Sequence, residues 1–387
     1  MNHPGGIALD QARTATRTIR EITCQILDIP TLRKHKLSNT SVAAQNIVLV
    51  AVTLDCGVTG YGEAATLGGP RWAEESVETI KAVIDGYLAP ALIGQDAASF
   101  EGNAKRLSAA ASRNFAAKAA IDSAALDAVG KALDLPATAF LGGQVRDRFP
   151  AIWALASGDA EQELEEARAH RAARRFDRFK IKLGFSHPDD DLARLRALRD
   201  GLGEDVTLIV DVNQGWGEAQ ALQLMPALTE LNVALVEQPL PARQMRGMAS
   251  VARRFNIPLM LDEGVFTAED AAMAGSLSAG QVLSLKLVKS GSAFAMKRTA
   301  GIAAAHGMQL YGGCLLESSI GAAAHLAVFA TLPELHWGTE HFGPLILKRD
   351  VAERGLEYTD FHVHLPTGPG LGVVPDPDAV RTFARKT

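Results

Sequence analysis

Hydrophobic and polar positions along this chain follow two different periods. Over residues 18–64 the period is two. "TIREITCQILDIP" and "NIVLVAVTLDCG" read as β-strands, and "DCGVTGYGEA" carries the glycines of a hairpin and its exit. Between the strands, "TLRKHKLSNTS" is polar and reads as a flexible loop. From 73 to 144 the spacing turns helical, with Ala-rich stretches such as "NFAAKAAIDSAALDAVGKAL". This predicts an α+β module over residues 1–145.

Beyond that module, short apolar runs recur, each followed by an amphipathic helical stretch. The runs are "AIWALA", "FKIKLG", "TLIVDVN", "ALVEQP", "PLMLDEG", "VLSLKLV", "MQLYGG" and "ELHWGTE". Repeated βα units of this length and number predict parallel strands closed into a barrel over residues 146–351. Residues 352–387 are irregular and rich in Pro and Gly, and are expected to return to the first module. The fold class is therefore α/β, a barrel carrying an α+β cap.

The ionisable residues in those runs are placed at regular intervals. Phe179, Ile181 and Leu183 share one face of the second run, and Lys180 and Lys182 share the other. Asp211 ends the third run, Glu237 the fourth and Asp262 the fifth. Lys286 sits on the sixth, and Glu317 follows the seventh. From Lys180 the steps are 31, 26, 25, 24 and 31 residues, about one βα unit each. All of these groups fall toward the C-terminal ends of their strands, the end at which a parallel barrel places its active site.

Composition narrows the partners. The chain has 387 residues, 47% of them hydrophobic, enough for a large core. A net charge of −5 with signs mixed along the chain offers no basic surface for nucleic acid. No apolar run is long enough for a membrane span, and the N-terminal "MNHPGGIALDQARTATRTIR" lacks the apolar core of a leader. Cys24, Cys56 and Cys314 are odd in number and widely spaced, which points to a reducing cytoplasm.

Three carboxylates from consecutive strands repel one another unless a cation neutralises them. An all-oxygen set without Cys or His favours Mg²⁺ or Mn²⁺. Lys182 and Lys286 flank that set and face a substrate from two sides. Lys180 and burial are expected to lower the pKa of Lys182 toward the range in which a lysine transfers protons. Such a site suits a carboxylate substrate that passes through an enolate; lysine bases with Mg²⁺ are a known arrangement for that intermediate.

Two sets of motifs carry a resemblance. "KIK", "DVNQGW", "EQP", "LDE" and "LKLVKSG" form one; "LPELHWGTEHFGPLIL", "ALASGD", "TLRKHKLSNTS" and "YGGCLLESSIG" form the other. From about residue 20 to 385 the chain resembles the muconate lactonising branch of the enolase superfamily. The resemblance implies a (β/α)7β barrel, a modified TIM barrel, under an α+β capping domain. It implies metal ligands at Asp211, Glu237 and Asp262, an acid/base lysine at Lys182 with Lys180 beside it and Lys286 opposite, and supports at Asn213 and Glu263. Glu317 would hydrogen-bond the substrate carboxylate or its enolate. Residues 31–41 and 64–73 would close over the substrate. The implied reaction is lactonisation of cis,cis-muconate, a small dicarboxylate, in aromatic catabolism, by a homo-oligomer, an octamer.

The chain departs from that pattern in places. Leu67 stands where relatives have Ile, and Trp72 where they have Tyr, with Pro70–Arg71 added between. Ser318–Ser319 follows Glu317 where a Gly is common. Leu67, Trp72, Ser318 and Ser319 are therefore candidates for substrate contact, and a chloro- or methyl-substituted muconate becomes a candidate substrate. Two rivals remain at this point. One is a racemase of N-acylamino acids or an epimerase of dipeptides, recognised by solvent deuterium entering an amino-acid derivative. The other is a non-enzymatic metal-binding protein, recognised by metal affinity without turnover.

Overall fold

A computed structural model describes residues 17–38 and 40–386. Residues 1–16, in which no leader was expected, lie outside this description, as do Asn39 and Thr387.

The chain begins with a three-stranded antiparallel sheet, β1 (Ile19–Lys36), β2 (Ser41–Leu54) and β3 (Thr59–Thr66), in the order β1-β2-β3. The polar stretch Thr31–Lys36, expected to be a loop, is the end of β1. The register shifts between Pro30 and His35, and the strand then pairs on to Lys36↔Ser41. The Arg33 side chain and the Lys36 backbone find partners on the barrel. Arg33 Nε lies 2.8 Å from Glu166 and donates through its other arm to the Ala154 carbonyl at 2.7 Å, while the Lys36 amide donates to Ala156 at 2.9 Å. Helix Phe115–Leu133 covers the sheet. It approaches so closely that a Cβ on Gly60 or Gly62 would meet its backbone at 2.1 Å. The Ala-rich composition of the helix and these two glycines are one packing solution.

After a short β4 (Arg148–Pro150) come β5 (Ile152–Leu155), β6 (Arg178–Lys182), β7 (Thr207–Asp211), β8 (Leu235–Glu237), β9 (Leu259–Leu261), β10 (Val282–Leu285) and β11 (Gln309–Gly312). These seven are parallel and pair in chain order, with helices between them. The eighth expected strand, in "ELHWGTE", closes the curl through one residue: Thr339 bridges Ala151 on one side and Gly312 on the other. Gly338 sets the limit. Its φ is +78°, and a Cβ there would sit 2.2 Å from the Pro150 carbonyl. The segment turns too tightly to extend its ladder. A hairpin, β12 (Tyr358–Thr359) and β13 (His362–His364), pairs with β4.

Register sorts side chains by face. Ile152, Ile209, Leu235, Met260, Val282 and Tyr311 form one buried cluster inside the curl. The outward residues, among them Phe179, Ile181, Leu208, Val210 and Val236, join the larger core shared with helices and cap. The C-terminal segment returns to the cap: Ala384 bridges Leu27, and the Arg385 amide donates to the Ile26 carbonyl at 2.9 Å.

Candidate active site

The inward parity that puts Ile209, Leu235, Met260 and Val282 in the inner cluster puts Asp211, Glu237 and Asp262 one step higher on the same face, and Lys286 two steps above Val282. Lys182 is paired with Asp211, and Asp211 with Glu237. The structure thus brings together the lysines and carboxylates singled out from the sequence. Among Lys180, Lys182, Asp211, Glu237, Asp262, Lys286 and Glu317, none is more than 6% exposed. Backbone strain collects here too. Asn213, Gln238 and Leu316, each near a site carboxylate, take positive φ values of 42°, 32° and 60°.

The charges pair closely. Lys182 Nζ lies 2.5 Å from Asp211 Oδ2 and donates to Asn213 Oδ1 at 3.2 Å. Asn213 in turn donates to Glu263 at 3.2 Å. Lys286 Nζ lies 2.5 Å from Asp262 Oδ2. Lys180 contacts Glu237, Glu340 at 2.7 Å and Asp211 at 3.2 Å. Burial pushes Lys180 down, but the charges of Glu237 and Glu340 outweigh it and hold the amine well above the usual lysine value. Lys180 is thus a counter-ion committed to three carboxylates. That differs from its expected part as a free charge depressing Lys182. Lys286 is likewise raised: burial opposes, and Asp262 and Glu237 prevail. Lys182 and Lys180 hold Asp211, and Lys286 and Lys289 hold Asp262, below the carboxylate range against burial.

Glu237 is the exception. It is fully buried, and burial followed by the charge of Asp211 raises its carboxyl well above the ordinary range. Neither of its oxygens has a hydrogen-bond donor; Lys180 supplies an ion contact alone. Six carboxyl groups (Asp211, Glu237, Asp262, Glu263, Glu317, Glu340) meet four amines (Lys180, Lys182, Lys286, Lys289) in this buried space. A hard divalent cation fits this oxygen set, with the orphaned Glu237 as its natural ligand.

Several site residues carry no signal in the periodic pattern. Lys289, in a short turn after β10, donates to the Asp262 carbonyl and to its Oδ1, both at 3.0 Å. Gln238 accepts from the amides of Asp262 and Gly264 at 2.9 and 3.1 Å. Glu340, beyond the bridging Thr339, accepts from Tyr311 at 3.1 Å. Glu317, which the regular spacing does include, is pushed up to about 8 by burial and accepts from the Leu315 amide at 2.8 Å. Among the described residues, Glu317, His325 and His341 offer ligand atoms within 4.8 Å of one another. His325 Nε2 already accepts from the Leu287 amide at 2.9 Å, however, so two free donors remain, too few for a metal cage.

The four candidate substrate contacts divide. Leu67 and Trp72 line a small cavity between cap and barrel with Val288 and Leu315. The Trp72 ring lies over Lys286 Nζ, 4.3 Å from the centroid, and stacks on Phe266 at 5.9 Å. Ser318 and Ser319 turn away from the mouth. The Ser318 hydroxyl and amide both donate to Glu63 of the cap, and Ser319 Oγ accepts from the Leu356 amide at 3.1 Å. Their part is anchorage of the cap and the C-terminal segment.

Fold and site together define a capped parallel barrel whose strand ends present carboxylates between two lysines, the class of enolase-type barrel enzymes. Residues 21–142 match the mandelate racemase / muconate lactonizing enzyme N-terminal domain, and residues 162–379 match the enolase C-terminal domain-like family. The chain belongs to this mandelate racemase / muconate lactonizing enzyme family. It is 41% identical to muconate cycloisomerase 1 of Pseudomonas putida over 93% of this chain and 96% of that one. It is equally identical to a chloromuconate cycloisomerase of Cupriavidus necator over 95% and 99%. The muconate lactonizing enzyme from Pseudomonas fluorescens, solved with muconolactone, superposes with a TM-score of 0.94 at 40% identity, covering 96% of this chain and all of that one.

Proposed function

We infer that the protein is a cycloisomerase, an isomerase of the intramolecular-lyase type, acting on cis,cis-muconate or a chloro- or methyl-substituted muconate in the breakdown of aromatic compounds. What carries the reading is similarity to muconate and chloromuconate cycloisomerases over more than nine-tenths of the chain. The racemase reading is not favoured, since the relatives named above are cycloisomerases.

In this reading Asp211, Glu237 and Asp262 would hold Mg²⁺ or Mn²⁺, which would supply positive charge beside the substrate carboxylate. A substrate carboxylate oxygen adds across the diene, and Lys182, on that side, delivers the proton to the carbon left electron-rich. Lys286 faces the other side and contributes its charge to holding the enolate. Glu317, neutral below about pH 8, meets the dicarboxylate without adding a further negative charge. Cap residues 31–41 and 64–73 exclude water. The same reading makes the protein a cytoplasmic homo-oligomer, an octamer.

The test is the loss of muconate ultraviolet absorbance on adding enzyme with Mn²⁺ or Mg²⁺, run also with chloro- and methyl-muconates. Absorbance that stays constant for all of them, with deuterium entering N-acylamino acids instead, would replace this reading by the racemase one.

A further inference from the structure

Helix Pro188–Leu202 follows β6 and carries Arg194, a buried arginine at 7% exposure. On an amphipathic helix an arginine at this spacing reads as part of a solvated face. Here it points under the active site. One arm donates to Glu163 Oε2 at 2.6 Å; the other donates to the main-chain carbonyl of Lys182. The β5–β6 ladder ends at the Leu155–Ile181 pair, so the Lys182 carbonyl lies one residue beyond it. The guanidinium serves that carbonyl beyond the end of the β5–β6 ladder.

Glu163, with no exposed surface, completes the arrangement from the helix after β5. Its Oε1 accepts from the Gly158 amide at 2.8 Å and the Ser157 hydroxyl at 3.3 Å. Asp191, 3.7 Å from the other arm of Arg194, accepts from the Gly184 amide at 2.7 Å. Arg194 also lies over the Phe185 ring, 5.1 Å from its centroid. Arginine's planar fork suits this double duty, and an ammonium does not reproduce it. The network ties the loops beyond β5 and β6 to one fixed point, the backbone of Lys182.

We propose that Arg194, held by Glu163, is a positioning residue that fixes the Lys182 backbone and so aims the amine at the reacting carbon. The inference rests on the role given to Lys182 above. Lys182 is the last residue of its strand, and a stem of four methylenes separates its amine from the backbone. A small tilt of the peptide is therefore magnified at Nζ. A misplacement of about 1 Å can cost on the order of 10²-fold in rate.

The test uses the Mn²⁺-loaded enzyme. Arg194→Lys keeps a cation beside Glu163 but cannot also reach the Lys182 carbonyl. Arg194→Met combined with Glu163→Met removes both buried charges together, so neither is left uncompensated. For each variant we expect kcat to fall about 10–100-fold, with KM and Mn²⁺ affinity within about threefold of wild type. Wild-type kcat in either variant overturns the proposal, as does a loss matched by equal losses in Mn²⁺ affinity and KM, which would mark general structural damage. A crystal structure of Arg194→Lys gives a readout independent of substrate. Displacement of Lys182 Nζ from its 2.5 Å contact with Asp211 is expected, and an unmoved amine overturns the proposal. Wild-type enzyme inert toward every muconate would count against the functional reading instead, and the structural readout would still decide the role of Arg194.

Discussion

Trp72 of the cap lies face-on to Lys286 of the barrel, 4.3 Å from ring centroid to amine. A cation over an aromatic face is stabilised by the ring's quadrupole, by about 2 kcal/mol when both are dry. Cap position and barrel chemistry are thus in direct contact. Replacing Trp72 by Tyr and Leu67 by Ile changes the shape of the wall beside Lys286. We expect relative kcat/KM among muconate and its chloro and methyl derivatives to shift by about 1–3 kcal/mol. An unchanged order of preference would leave both residues to packing alone.

The cation site gives a second expectation. Asp211→Asn, Glu237→Gln and Asp262→Asn should each weaken Mn²⁺ binding in calorimetric titration while circular dichroism reports a folded chain. The largest loss is expected at Glu237, whose oxygens no hydrogen-bond donor satisfies. Wild-type affinity in all three variants would take these side chains out of the metal site.

Lys182 controls the face of protonation in the proposed reaction. Run in D₂O, the wild-type enzyme should place deuterium on the side where the carboxylate oxygen added, as read by NMR of the lactone. Lys182→Ala should cost at least about 10²–10⁴-fold in kcat, the usual worth of a positioned acid, with Mn²⁺ still bound. Delivery to the opposite face would move the acid role to Lys286.

Glu63 gives a dependence on pH. It is buried at the N-terminus of helix Ser319–Phe329, and burial outweighs its hydrogen bonds from Ser318 and Gly321, raising its carboxyl from 4.5 to about 7. The folded state therefore binds this proton more tightly than the unfolded state does. Its contribution to stability is full below about pH 4.5 and is lost as pH rises to about 7, roughly 3 kcal/mol in all. Urea unfolding of wild type and Glu63→Gln across that range should show the wild-type advantage shrinking as pH rises. An advantage that grows with pH would mean that Glu63 is ionised in the folded protein.

The proposed metal ligands, Lys182 and Lys286 stood out in the sequence because one physical rule places them all. Each carboxylate lies one parity step above an apolar inward residue, and the two lysines lie on the same inward face of their own strands, so charge at the end of an apolar run repeats with the βα unit. Glu340 escaped because its segment crosses the sheet with one bridging residue and has no period. Arg194 and Glu163 escaped because a charge on an amphipathic helix looks the same from the sequence whether it meets water or a buried carbonyl. Thr31–Lys36 read as a loop because its partners, Glu166, Ala154 and Ala156, lie more than a hundred residues downstream. Ser318 and Ser319 stood beside a site residue in sequence yet face the other way in space. Adjacency along the chain says nothing of direction where a loop turns into a helix, as it does at Ser318.

The return of the C-terminus to β1 sets an order of events during synthesis. β1 is complete at Lys36, but the Arg385 amide that caps Ile26 is made about 350 residues later. At ribosomal rates of 5–20 residues per second, that is a wait of roughly 20–70 s. The barrel has all of its strands before the outer edge of the cap sheet has its last partner. An open strand edge is a template for pairing with another chain. Nascent copies on one messenger thus pass through an interval in which β1 of one chain can capture the edge of the next, and the final dozen residues end it.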